Sequence, residues 1–291
     1  VAKASELSYL HAKAGRRTRS MPPALRLLLG AALLLLPALP AVAQTNLAPQ
    51  AAPAIGAPGL DRWRVAIGAG MLFAPDYLGS NDWRVTPVVA PEIRAPNDRA
   101  FISFRDGLGA TLLREGPYSL GLVLRPRFGR DQDDNDALRG MGDIRIAGEA
   151  GVVLSYSDRQ WLARGEVRQA FGGYSGVVAD ARLDRVLRPR QDLILSAGPR
   201  LSWGNSGFAE TFFGVDPSQS QRSGYQVFTP NDYWFAALAG GATWVVNDRW
   251  TVIAFGEVGR IFGDAADSPL VDRGSATQGI VGLTVAYRFL P

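Results

Sequence analysis

From Tyr118 to Phe128 the chain places Tyr118, Leu120, Leu122, Leu124, Pro126 and Phe128 on one parity, and Ser119, Gly121, Val123, Arg125 and Arg127 on the other. Asp143 to Tyr156 repeats the pattern, with Ile144, Ile146, Ala150, Val152, Leu154 and Tyr156 opposite Asp143, Arg145 and Glu149. Side chains on a strand alternate faces with period two, so each stretch has one apolar and one charged face. At least eight stretches read this way and run to about a dozen residues, against about five or six for strands in soluble sandwiches. That is the length that crosses an outer membrane at a tilt of ~45°. The expected fold is all-β: an antiparallel transmembrane β-barrel.

The segment before the first such stretch reads as a leader. Met21 to Arg26 is short and basic, Leu27 to Leu36 is an apolar run, and Ala41-Val42-Ala43 forms a small-residue cleavage site before Gln44. Residues 1–20 are expected to be an upstream annotation artefact, 21–43 a cleaved signal peptide, and 44–61 a flexible Ala/Pro-rich periplasmic segment. Residues 62–291 form the barrel in this reading. Charge supports the cut. Six of the 31 basic residues and one of the 27 acidic ones precede Gln44, so the remainder carries 25 Arg against 26 acids. The high isoelectric point belongs to the leader, and nucleic acid loses its electrostatic appeal as a partner. The cut also removes both lysines and His11, the only histidine, and the chain has no Cys. Thiolate or imidazole metal sites, Schiff-base chemistry and histidine-activated nucleophiles are thereby excluded after residue 43. The expectation is no enzyme, no cofactor and no metal centre.

Strands are expected near Arg62 to Phe73, Trp83 to Arg94, a short hairpin over Arg99 to Leu113 bending at Asp106-Gly107, and Tyr118 to Phe128. They continue at Asp143 to Tyr156, Gln160 to Phe171, Gly176 to Leu187, Asp192 to Trp203, Trp234 to Val246, Trp250 to Phe262 and Gln278 to Phe289. The count is twelve, which puts both termini on one side. Phe208 to Val215 reads as a strand extension or part of a loop, so ten to fourteen strands fit. The turn sequences Asn97-Asp98-Arg99, Ser157-Asp158-Arg159 and Asn247-Asp248-Arg249 carry residues that bond their own backbone in tight turns.

The inward parity collects Arg64, Arg84, Glu92, Arg105, Arg125, Arg127, Arg145, Glu149, Arg164, Glu166, Arg168, Asp180, Arg182, Asp184, Arg200 and Arg288 as candidate lumen-lining residues. Two readings stay open: a narrow, anion-favouring diffusion channel, or an Arg–carboxylate network that fills the interior, where charges must pair or stay wet. The run Asp131, Asp133, Asp134, Asp136 lacks the glycine that an EF-hand turn needs, since Ala137 stands there. It reads as a solvated loop bridged by divalent cations to lipopolysaccharide. Outer-membrane lipid and lipopolysaccharide are thus the expected surroundings, and nucleic acid is not an expected partner.

Several loop motifs carry a family resemblance. Pro75-Asp76-Tyr77-Leu78-Gly79-Ser80 followed by Trp83-Arg84-Val85, Leu138-Arg139-Gly140-Met141-Gly142-Asp143-Ile144, Phe213-Gly214-Val215, and Gly263-Asp264-Ala265-Ala266-Asp267-Ser268-Pro269 resemble, in order and spacing, the MltA-interacting protein (MipA/OmpV) family. The terminal Tyr287-Arg288-Phe289 fits the same pattern. The resemblance implies an outer-membrane barrel tied to murein (peptidoglycan) synthesis, a scaffold joining a periplasmic lytic transglycosylase to a penicillin-binding protein. One departure is Tyr174, where the family pattern leads one to expect His, so no role for that His transfers.

Overall fold

Alternation of this length calls for a closed sheet, and the chain forms one. The computed structural model describes residues 62–289. The readings of residues 1–20, 21–43 and 44–61, and of the last two residues, lie outside the described residues. Twelve antiparallel strands close into a barrel in sequence order, with β1 pairing β12. They are β1 (Arg64–Pro75), β2 (Trp83–Arg94), β3 (Ala100–Ser103), β4 (Gly107–Glu115), β5 (Tyr118–Arg127) and β6 (Ala147–Ser157). The circuit is completed by β7 (Trp161–Gly172), β8 (Val177–Arg190), β9 (Leu193–Gly204), β10 (Tyr233–Val245), β11 (Trp250–Phe262) and β12 (Thr277–Arg288).

Parity sets the faces. In β5, Leu122 points outward, 48% exposed, while Val123 points inward at 3%. Val152 and Leu154 of β6, Val258 of β11 and Val281 of β12 are likewise outward and exposed, forming the apolar band that lipid covers. One exception has a local cause. Leu112 and Leu113 of β4 are both exposed because the register with β5 slips between Thr111 and Leu113, a bulge that turns two consecutive side chains outward. Outward aromatics ring both rims. Trp161, Trp244 and Trp250 sit near the end that carries the termini, and Phe73 stacks on Trp83 at the other, 4.9 Å between centroids.

The end carrying both termini, periplasmic in bacterial single-chain barrels, has tight turns. Asn97 and Asp98 both adopt positive φ, at 56° and 53°, which Asn and Asp tolerate better than other side chains. Asp158 Oδ1 accepts from the backbone N–H of Gln160 and Trp161 at 2.6 and 2.7 Å, and Asn247 Oδ1 accepts from Arg249 and Trp250 at 2.9 Å each. The Tyr156 hydroxyl and those two amides hold the Asp158 carboxyl below the usual carboxylate range.

At the opposite end the connections are long and, among the described residues, carry three α-helices. Residues 206–215 are not a strand extension. Ser206–Phe213 forms helix α1, capped by Asn205, whose side chain accepts from the Phe208 amide. The spacing of Phe208 and Phe212 then places both rings on one helical face, which buries itself in the barrel mouth. Two short helices follow, α2 (Pro217–Ser223) and α3 (Pro269–Asp272).

The wall is not uniform. β3 has four residues and meets β2 at Glu92, Ile93 and Arg94 alone. Above that level, residues 83–90 of β2 have a strand partner on the β1 side only. The Phe104 amide donates to Pro91 O at 3.1 Å, so Pro91, and by alternation Pro87, turns its backbone toward this open edge. On the far side, the Glu115↔Tyr118 hairpin pair fixes even-numbered residues of β5 as those facing β4, and Pro126 is one of them. Prolines, which have no N–H to donate, thus occupy both edges above the short hairpin.

Candidate functional site

The inward faces of β2, β5, β6, β7, β8 and β9 converge on one ion lattice. Its centre is Arg168, fully buried, whose guanidinium reaches Glu149 at 3.0 Å, Glu166 at 2.8 Å and Asp180 at 2.5 Å. Glu149 also takes Arg127 and the Tyr174 hydroxyl. Glu166 also takes Arg164, and Arg125 at 3.4 Å. Asp180 accepts from the Ser202 hydroxyl at 2.6 Å, and Asp184 pairs with Arg200 at 2.7 Å. A second hub is Asp106, 1% exposed, in the turn between β3 and β4. Arg94 reaches it at 2.8 Å, Arg182 at 3.2 Å and Arg164 at 3.8 Å. Charges this deep persist only when each is paired and hydrogen-bonded, and nearly every member here has two or more partners.

The other expected lining residues sit elsewhere. Glu92 pairs with Arg94 beside the lattice, and Arg105 presents its carbonyl to Arg125 Nη2 at 2.8 Å. Arg64 binds Asp98 at the terminal end, and Arg288, half-buried at the end of β12, donates its amide to Arg249 O at 2.8 Å. Arg84, at the outer end of β2, turns to the loops and bridges Asp76 at 3.1 Å and Asp134 at 3.2 Å. Arg145 is exposed and precedes β6, which begins at Ala147 rather than Asp143. Ile144 there forms only an isolated bridge to Arg130 and packs against the core, so the alternation had already ended.

Above the lattice α1 closes the mouth. Phe208 and Phe213 are essentially buried. Phe208 packs on Tyr233 (5.0 Å), Phe212 (4.7 Å) and Tyr174 (5.9 Å), and Phe213 stacks on Tyr233 at 5.3 Å. The Arg127 guanidinium sits 5.1 Å from the Phe208 ring and 5.8 Å from Phe212, joining aromatic plug to ion lattice. Tyr174 joins them a second time, its ring on the plug and its hydroxyl on Glu149. The carbonyls left without helical partners at the end of α1 are satisfied from outside. Arg130 Nη1 donates to Phe212 O at 3.1 Å, and Ser268 Oγ donates to Phe213 O at 2.6 Å.

The motif residues of the first and last long loops hold this plug in place. Pro75 ends β1, and Asp76 accepts from Arg84 and from Asn135 Nδ2 at 3.2 Å. Tyr77 is buried and donates to Leu270 O at 3.2 Å, and burial pushes its hydroxyl pKa up to about 12. Gly79 at φ 99° passes so close to Val271 that a Cβ would stand 2.8 Å from its Cγ2. Ser80, buried, accepts from the Asp82 amide at 3.0 Å. Gly263, at φ 75°, starts the turn containing Asp264 and Asp267. Asp264 accepts from Asn231 at 2.9 Å, whereas Asp267 is exposed. Ser268 caps α3, with Pro269 at its first turn. A small core of Tyr77, Leu138, Met141, Val215 and Leu270 unites the loops. The acidic run is consumed locally. Asp131 caps its own turn, Asp134 holds Arg84, and Asp136 pairs with Arg139 at 2.9 Å.

Asp106 and Glu257 are among the interior carboxylates, yet both are absent from the expected lining. Asp106 lies in a turn, where parity assigns no face. Glu257 of β11 follows from alternation with the outward Val258, and is 6% exposed with neither carboxylate oxygen hydrogen-bonded among the described residues.

A family profile described as MltA-interacting protein MipA matches residues 67–289. The MltA-interacting protein of Escherichia coli K12 is 28% identical over 235 residues, covering 78% of this chain and 90% of that protein. The outer membrane protein Omp26La of Vibrio anguillarum is 33% identical over 171 residues, covering 55% and 61% respectively. Among solved structures, the outer membrane protein OprD of Pseudomonas aeruginosa aligns with a TM-score of 0.37 at 13% identity, over 78% of this chain and 65% of that one.

Proposed function

The chain belongs to the MltA-interacting protein family of outer-membrane barrels, and from that membership we propose that it is a non-enzymatic scaffold for murein synthesis. In this reading it holds a periplasmic lytic transglycosylase and a penicillin-binding protein at the inner face of the outer membrane. The observation that carries the reading is the filled interior. Arg168, Glu149 and Asp106 are each no more than 1% exposed, and Phe208 and Phe213 stop the mouth above them. A barrel whose interior is packed with paired charge and aromatic rings favours anchoring over diffusion, and its useful surface is then its periplasmic end. That end offers the turns carrying Asp98, Asp158 and Asp248, while the loops holding Asp131 and Asp264 face the other way.

The test pairs crosslinked capture from envelopes with single-channel recording of the purified barrel. The scaffold reading expects murein enzymes in the capture, reduced when Asp98, Asp158 and Asp248 are changed to Asn, and electrically silent bilayers. Steady conductance that falls with Arg125→Ala, together with empty captures, would replace the scaffold by the anion-favouring channel.

A further inference from the structure

One row of the lattice is cationic where strand pairing should disfavour it. Arg164 of β7 faces Arg182 of β8, and Arg182 faces Arg200 of β9, so three arginines stand directly opposite one another across three neighbouring strands. Like charges in that position repel. The carboxylates near them are already engaged: Asp106 with Arg94 and Arg182, Asp184 with Arg200, and Glu166 with Arg164 and Arg168. The row borders a small cavity lined by these three arginines and Arg125, together with the carboxylate residues Glu166 and Asp180. Arg164 is 9% exposed, and its Nη2 is buried without a hydrogen-bond partner among the described residues. A buried guanidinium N–H without an acceptor is costly, so the arrangement calls for one.

We propose that this arginine row is a binding site for a small oxyanion, a carboxylate or a phosphate, held inside the barrel between β7, β8 and β9. The planar fork of a guanidinium matches two oxygens of such an anion, and an anion seated between Arg164 and Arg182 gives Nη2 its acceptor while relieving the repulsion along the row. Water could accept the same hydrogen bond but would leave the repulsion in place. The site is independent of the scaffold reading, since it lies in the wall-facing interior and needs no protein partner.

Equilibrium dialysis of refolded barrel against labelled inorganic phosphate tests it, with phosphate added either during refolding or afterwards and ionic strength held with chloride. Saturable uptake of one phosphate per barrel is expected, with affinity reduced about tenfold or more in Arg182→Gln. It should be unchanged in Arg188→Gln, a solvent-exposed arginine at the terminal end of β8. Uptake only when phosphate is present during refolding supports a sealed site. Displacement by acetate assigns carboxylates to the same place, and failure of acetate to compete restricts the site to phosphate. If Arg182→Gln does not fold, Arg164→Lys, which keeps the charge but loses the second prong, should weaken uptake in its place. No saturable uptake by the wild-type barrel, or a loss that follows Arg188 rather than the row, overturns the proposal.

Discussion

Replacing Arg168 by Met should be among the most damaging single changes in the barrel. Its guanidinium compensates three carboxylates at 3.0, 2.8 and 2.5 Å, and it has no exposure to water that could take over the task. Removing one partner of a buried ion pair typically costs about 3–5 kcal/mol, because the remaining charge stays buried. Part of the loss is cushioned here. Glu149 keeps Arg127 and Tyr174, Glu166 keeps Arg125 and Arg164, and Asp180 keeps the Ser202 hydroxyl. The expected cost is therefore about 3 kcal/mol, the lower end of that range. With a urea dependence of roughly 1–3 kcal/mol per molar, the unfolding midpoint should fall by about 1–3 M. The readout is urea unfolding of the refolded barrel in micelles, followed by intrinsic fluorescence and by heat-modifiable gel mobility. A second change in the same background, Asp180→Asn, should recover part of the loss, since it removes the charge of the carboxylate that Arg168 held at 2.5 Å. If Arg168→Met unfolds within about 0.5 kcal/mol of wild type, the level expected of an ordinary surface change, the interior is wet and the argument from a sealed lattice fails.

Leu122→Arg puts a cation in the lipid band and should cost about 2–4 kcal/mol in folding into bilayers, whereas unchanged folding would reverse the assignment of faces. Glu257→Met should raise the urea midpoint, gaining about 1–3 kcal/mol by replacing a buried, unpartnered carboxylate with an apolar chain of similar length. Phe208→Ala should cost about 3–5 kcal/mol in the same unfolding assay yet leave planar bilayers silent, because the ion lattice lies beneath the plug. Tyr77 supplies a pH dependence. Its hydroxyl pKa is raised from 10 to about 12 in the folded protein, so the stability of the loop cap is whole below pH 10 and lost as pH rises toward 12. Hydrogen exchange around Leu138 should report that loss, and Tyr77→Phe should abolish its alkaline part at a cost of about 0.5–1.5 kcal/mol for the bond to Leu270.

Twelve strands, their faces and the alternation of short and long connections were legible because a membrane barrel repeats one local rule. Leu122 outward and Val123 inward is a statement about two adjacent residues, and it holds wherever the strand is regular. The reading fails where the rule stops. Arg145 continues the parity of β6 on paper but sits beyond the first residue of the strand. Phe208 to Phe213 has the aromatic content of a strand, and its helical state is decided by the Asn205 cap and by the aromatic mouth formed with Tyr174 and Tyr233, far away in sequence. The charged residues of the interior were legible as a set, but not their pairing. Asp106 meets Arg182 across 76 positions of chain, and no periodicity specifies that distance. Tyr174 stood out only as a departure from the family pattern. Its double contact, with the plug and with Glu149, depends on the barrel being closed.

The prolines bordering the short β3–β4 hairpin bear on how many strands the barrel can close with. β2 and β5 run in opposite directions, so a chain that left the hairpin outside could join them directly and close with ten strands instead of twelve. Such a shortcut would need the edges of β2 and β5 to exchange hydrogen bonds along their length. Pro87 and Pro91 on one edge and Pro126 on the other remove donors from that seam. In the hydrocarbon layer each carbonyl left without a donor has no water to turn to, and the miscounted barrel is penalised at every such position. In the twelve-strand form those prolines give up little, because no strand lies beyond them at that height. Three prolines of the wall thereby help set the circumference within which lattice and plug must fit.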